Sequence, residues 1–168
     1  MNPRPARILF LCTHNRCRSI LAEALTRHQG GNYLIAASAG SSPEGQVHPE
    51  TLTNLLQRGV NIDGLHSKSW HEMAEFAPDY AVAVCQQAAG ETCPTWMSNV
   101  SMVHWGLPDP SKITQSSTER QQAFTDVMNT IERKIAIWVK LLQADNSGLR
   151  FREAMDSQLA RRSTQSRN

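Results

Sequence analysis

The chain has 168 residues, 40% of them hydrophobic and 19% charged, which fits one globular domain with a sizeable core. A formal charge of +2 argues against nucleic acid or a membrane surface as a partner, and no apolar run approaches the length of a membrane span. No export signal opens the chain, so the expected location is the cytoplasm, where cysteines serve as buried thiols, metal ligands or reactive groups rather than structural disulfides.

Arg7 to Cys12 is apolar and reads as a short strand buried on both faces. A polar loop follows, and then Ile20, Leu21, Ala24, Leu25 and His28 recur at helical spacing until Gly30 and Gly31 end the helix. Leu34 to Ser38 reads as a second strand, ended by Gly40 and the turn at Ser41, Ser42 and Pro43. Leu52, Leu55, Leu56 and Val60 give an amphipathic helix that opens near His48 and Pro49 and closes around Gly59. Trp70 to Phe76 predicts a short helix, Tyr80 to Cys85 a clear strand, and Ser101 to His104 a fourth. After the loop Gly106 to Pro110, the residues Phe124, Val127, Ile131, Ile135, Trp138 and Leu142 form one stripe of a long helix.

Alternating strands and helices predict a single three-layer α/β domain, with a mostly parallel four-stranded sheet covered by helices on both faces. The domain is expected over residues 1–143, and residues 144–168, rich in Arg, Ser and Gln, are expected to form a polar, disordered tail. In such sheets ligands sit beyond the carboxyl ends of the strands, and Cys12, Cys85 and Asp109 each fall at or just after such an end.

None of the cysteine spacings is that of a zinc ribbon, and no metal centre is expected. Cys12 is instead followed six residues later by Arg18, between an incoming strand and an outgoing helix. That arrangement turns successive backbone N–H groups inward and sets a helix N-terminus beneath a bound oxyanion. The loop residues Thr13, His14, Asn15, Arg16, Cys17 and Ser19 are therefore expected to line an oxyanion site, with the Arg18 fork gripping two oxygens. Ser19 is placed to donate to the sulfur, Cys17 to brace the loop, and Asn15, whose short amide side chain tolerates left-handed backbone, to shape it. Thiols at helix N-termini beside cations ionise readily, so Cys12 is expected to attack as a thiolate. Asp109 is held between Pro108 and Pro110, whose fixed φ angles present its carboxyl at a defined place.

The run from Ile8 through Cys12 and Arg18 to Ala24, with Ser38 to Gly40 and Asp109-Pro110, resembles the low-molecular-weight tyrosine phosphatase superfamily over residues 6 to 142. Within it, the chain looks most like the arsenate reductases. Ser111 and Lys112 follow Asp109-Pro110 where the phosphatases usually have tyrosine, and Cys85 and Cys93 flank a small segment, Ala88 to Gly90, that resembles a redox relay. The resemblance implies that Cys12 attacks arsenate while Asp109, as general acid, protonates the departing oxygen, that Cys85 then attacks Cys12, and that Cys93 passes the disulfide to thioredoxin, or to glutathione and glutaredoxin. The alternative is a phosphomonoesterase using the same loop.

No tightly bound cofactor is implied. Some relatives bind potassium beside the loop, and Asn15, Glu23 and Ser38 match part of that site. His14 and Arg16 depart from the family pattern: glycine is common at the first position, where it would suit a positive φ, and a small residue at the second.

Overall fold

The computed structural model describes residues 4–85 and 93–165. The strands are β1 (Ala6–Cys12), β2 (Leu34–Gly40), β3 (Tyr80–Ala83) and β4 (Ser101–His104), and all pair in parallel in the order β2-β1-β3-β4. The order reverses between β1 and β3, so the crevice beyond the carboxyl end of β1 is the switch point where ligands bind in open α/β sheets. Cys12 ends β1 there. β3 is shorter than the sequence pattern predicts, and Cys85 lies two residues past its end.

Alternation along β1 splits the core between the two faces. Ile8 and Phe10 pack with α1 (Arg18–Gly30), α2 (Pro49–Gln57), α3 (Ser117–Ala144) and α4 (Leu149–Gln165). Leu9 and Leu11 face the other way, onto Trp70, Met73 and Met97. Among the described residues, that second cover consists of short 3-10 turns at Trp70–Glu72, Ala74–Phe76 and Thr95–Met97 rather than α-helices. Ser69 fixes the first of them, accepting from His71 N while Glu72 accepts from Ser69 N in a capping box.

α2 begins where His48 accepts from Glu50 N, with Pro49 in its first turn. Its buried side chains are Thr51, Asn54 and Leu55; Leu56, assigned to the apolar face from spacing alone, is 58% exposed. No described helix is long and apolar enough to cross a membrane.

The expectation of a disordered tail over 144–168 is overturned in its described part. α4 occupies Leu149–Gln165 and buries Phe151 and Met155, with Leu159 packed against the same core. The three lie four apart and make one helical stripe. Phe151 meets Tyr80 and Trp138 edge-on, at 5.9 and 6.0 Å between ring centroids. Asp145 starts the element by accepting from Ser147 N, Ser147 Oγ and Arg150 N. The polar composition hid this helix because three side chains, widely spaced in sequence, suffice to dock it.

Candidate active site

The loop from Cys12 to Arg18 is built by turning its carbonyls outward. Thr13 O accepts from Ser42 N, His14 O from Glu44 N and Arg16 O from His48 N, at 2.9, 3.0 and 3.0 Å. Each peptide is planar with its C=O and N–H opposed, so outward carbonyls leave N–H groups facing the concave side, as an anion requires.

The turn itself is made at Asn15, whose φ is +48°. Asn15 thus adopts the left-handed backbone that asparagine tolerates, and His14, where a glycine would suit a positive φ, has none; its Nδ1 faces the Ser42 carbonyl at 3.3 Å. Asn15 is fully buried and uses both ends of its amide. Nδ2 donates to Ser19 Oγ at 2.8 Å and to Ser38 Oγ at 3.0 Å, while Oδ1 accepts from Lys68 N at 2.9 Å. Ser19 Oγ, which accepts from Asn15, lies 2.9 Å from Cys12 Sγ and can donate its own proton to a thiolate there. Cys12 is 5% exposed, at the base of the loop.

Above it, Arg18 Nη1 donates to Leu107 O at 2.9 Å and Nη2 lies 3.6 Å from Asp109 Oδ2. Asp109 caps the 3-10 turn Pro110–Lys112, accepting from Ser111 N at 3.0 Å and Ser111 Oγ at 2.6 Å. Its carboxylate is thereby held over the arginine that opens α1. Arg16 donates from Nη2 to Ser111 Oγ at 3.1 Å, and its Nη1 lies 3.3 Å from Glu44 Oε2.

All four cysteines are thiols. Cys85 is buried at the rim of the loop, with Sγ 3.9 Å from Thr13 Oγ1, and its carbonyl faces His104 Nε2 at 3.1 Å. Cys93 is on the surface just ahead of Pro94. The small segment Ala88 to Gly90 lies outside the described residues. Cys17 sits at the N-cap of α1 without a side-chain capping bond, and burial pushes its thiol up to about 12 against a hydrogen bond with Thr51. It stays protonated at neutral pH, which suits packing and not attack. Of the residues singled out from sequence, Cys12, Arg18, Ser19, Asp109 and Cys85 thus gather around one loop.

The residues considered for potassium do not fit that ion. Ser38 Oγ donates to Glu23 Oε1 at 3.3 Å, and the Lys68 ammonium lies 3.6 Å from the same oxygen. Arg27 lies 3.6 Å from Glu23 Oε2, and Asn15 Oδ1 is taken by Lys68 N. The chain supplies its own cation to the buried carboxylate. Burial pushes the Lys68 ammonium down, and Glu23 pulls it back up.

Sequence reasoning missed Lys68, Glu44 and the role of Gly40. A Cβ on Gly40 would sit 2.6 Å from Thr13 O, 2.9 Å from Cys12 O and 3.0 Å from Asn15 N, so this glycine is there because the loop backbone presses on it. Only its glycine identity, at a strand end, signalled this in advance. Gly40→Ala is expected to destabilise the fold by about 1–3 kcal/mol and to weaken orthophosphate binding. Thermal unfolding with and without phosphate reads both, and an unchanged midpoint with undiminished phosphate stabilisation would refute the close approach.

Residues 7–148 match the family model described as low molecular weight phosphotyrosine protein phosphatase. The chain belongs to that family. Relatives within reach of sequence comparison include an arsenate reductase of Halalkalibacterium halodurans, 33% identical over 128 residues, covering 76% of this chain and 91% of the relative. An arsenate reductase of Shouchella clausii is 32% identical with the same coverage. Among solved structures, a thioredoxin-dependent arsenate reductase of Corynebacterium glutamicum matches with a TM-score of 0.62 and 29% identity, over 83% of this chain and 63% of that one. An arsenate reductase in the phosphate binding state matches with a TM-score of 0.61 and 26% identity, over 78% and 97%. The low-molecular-weight phosphatase fold expected from sequence is the fold observed. α4 begins immediately after the region the family model covers.

Proposed function

We propose that this family member is an arsenate reductase whose electrons pass from Cys93 through Cys85 to Cys12. The observation that carries the reading is the Cys85 thiol at the rim of the oxyanion loop, beside Thr13, in a chain whose relatives include proteins named arsenate reductase. Hydrolysis of a phosphate ester gives that thiol nothing to do.

Arsenate has the charge and tetrahedral shape of phosphate and is held by the loop N–H groups and the Arg18 fork. Cys12 Sγ forms a bond to arsenic as an oxygen departs, and Asp109 donates the proton that lets it leave as water. Cys85 Sγ then attacks Cys12 Sγ. The sulfur–arsenic bond breaks with its electron pair remaining on arsenic, which leaves as arsenite, and a Cys12–Cys85 disulfide remains. Cys93 attacks Cys85 and frees the Cys12 thiolate. The resulting Cys85–Cys93 disulfide is reduced by an external thiol system, thioredoxin or glutathione with glutaredoxin; the Corynebacterium glutamicum relative favours the first.

A phosphomonoesterase reading is favoured by the family match alone, since Cys12, Arg18 and Asp109 would serve it equally. Replacing the outer cysteines separates the two. Cys93→Ser is expected to release a single arsenite per chain and stop with Cys12 and Cys85 joined, which mass spectrometry of the alkylated protein detects. Cys85→Ser is expected to release none. Multiple turnovers by both variants would overturn the relay, and p-nitrophenyl phosphate hydrolysis as the sole activity of the wild type would favour the esterase.

A further inference from the structure

Arg16 holds together two walls that rise on either side of the oxyanion loop. One wall is the segment after β2: Ser42 N and Glu44 N donate to the loop carbonyls of Thr13 and His14, and Glu44 Oε2 lies 3.3 Å from Arg16 Nη1. The other carries Asp109, over Arg18, with Ser111 Oγ donating to Asp109 Oδ1 and accepting from Arg16 Nη2. The base of the Arg16 side chain is fixed as well, because its carbonyl accepts from His48 N and from Thr51 Oγ1. Only about a quarter of the side chain is exposed.

We propose that the Glu44–Arg16–Ser111 clasp selects small inorganic oxyanions by closing the loop mouth to phosphate monoesters that carry an aryl or peptide group. The reason is directional. Whatever leaves the bound tetrahedral centre must leave toward its proton donor, and Asp109 lies directly beside Ser111. Arsenate sheds only water along that path. An aryl ester must instead lay its ring where the guanidinium meets Ser111, separating a paired cation from both partners and pressing an apolar face against it. The proposal deepens the reductase reading and rests on it for the identity of the preferred anion.

The test compares anion and ester at the same site, without requiring reduction. The inhibition constant of orthophosphate and kcat/KM for p-nitrophenyl phosphate are measured for wild type, Arg16→Ala and Glu44→Gln. Arg16→Ala removes the clasp; Glu44→Gln loosens it on an exposed side chain while keeping the arginine charge. Ester turnover relative to orthophosphate affinity is expected to rise about tenfold or more in Arg16→Ala, and by less in Glu44→Gln. A ratio that stays the same or falls in both variants would overturn the clasp. Failure of wild-type protein to reduce arsenate would overturn the reductase reading and leave this ratio intact as a measure of the mouth.

Discussion

Cys12→Ser is expected to lower arsenate reduction by about 10⁴-fold or more, with orthophosphate binding retained within about threefold. A serine hydroxyl is a far weaker acid than a thiol. Ser19 Oγ, beside the Cys12 sulfur, is itself a neutral hydroxyl and too weak a base to activate a serine. The substituted side chain also forms no disulfide, which removes the electron path along with the nucleophile. Anion affinity belongs to other groups: the inward N–H groups, the α1 N-terminus and the Arg18 fork. Isothermal titration with orthophosphate and a coupled arsenate assay separate the two quantities. Retention of even about a hundredth of the wild-type rate would exclude Cys12 as the attacking group, and collapse of phosphate binding would mean that the loop depends on the sulfur for its shape.

Asn15→Ala is expected to cost about 3–5 kcal/mol of stability, a large share of the roughly 5–15 kcal/mol that holds a domain folded. Two effects add. The buried amide serves Ser19, Ser38 and the Lys68 N–H at once, and its removal leaves those groups competing for fewer partners out of water. The position also has a φ of +48°, where alanine is strained by about 1–2 kcal/mol and asparagine much less. Asn15→Gly isolates the second effect, since glycine loses the hydrogen bonds and tolerates the backbone. Urea unfolding should therefore rank wild type above Asn15→Gly, and Asn15→Gly above Asn15→Ala. Equal midpoints for the two variants would remove the backbone contribution, and a loss below about 1 kcal/mol in both would mean that water replaces the amide.

These two residues differ in how far sequence foretold them. The place of Cys12 was legible because everything that marks it is local: an apolar strand, a six-residue offset to arginine and an amphipathic helix. Asn15 was legible as a loop-shaping residue tolerant of left-handed backbone, while the glycine common at the position of His14 pointed to a positive φ there too, which His14 does not have. Of the two cations beside Glu23, Arg27 lies one helical turn on, whereas Lys68 was not legible at all. Lys68 reaches the network from a segment 53 residues beyond Asn15, and neither its own neighbours nor its spacing mark it.

Strand period, helix period and turn chemistry are written over a few consecutive residues, and they made the parallel α/β layering, the Cys12–Arg18 loop and the placement of Cys12, Cys85 and Asp109 at strand ends readable in advance. Tertiary structure decided what surrounds them. It covered one sheet face with 3-10 turns around Trp70 and Met97, docked α4 through Phe151 and Met155, pressed Gly40 against the loop backbone, and brought Ser111 to Arg16 across 95 residues of chain. Each of these is a long-range contact, fixed by close packing and by the pairing of buried polar groups, and neither is visible until distant segments meet.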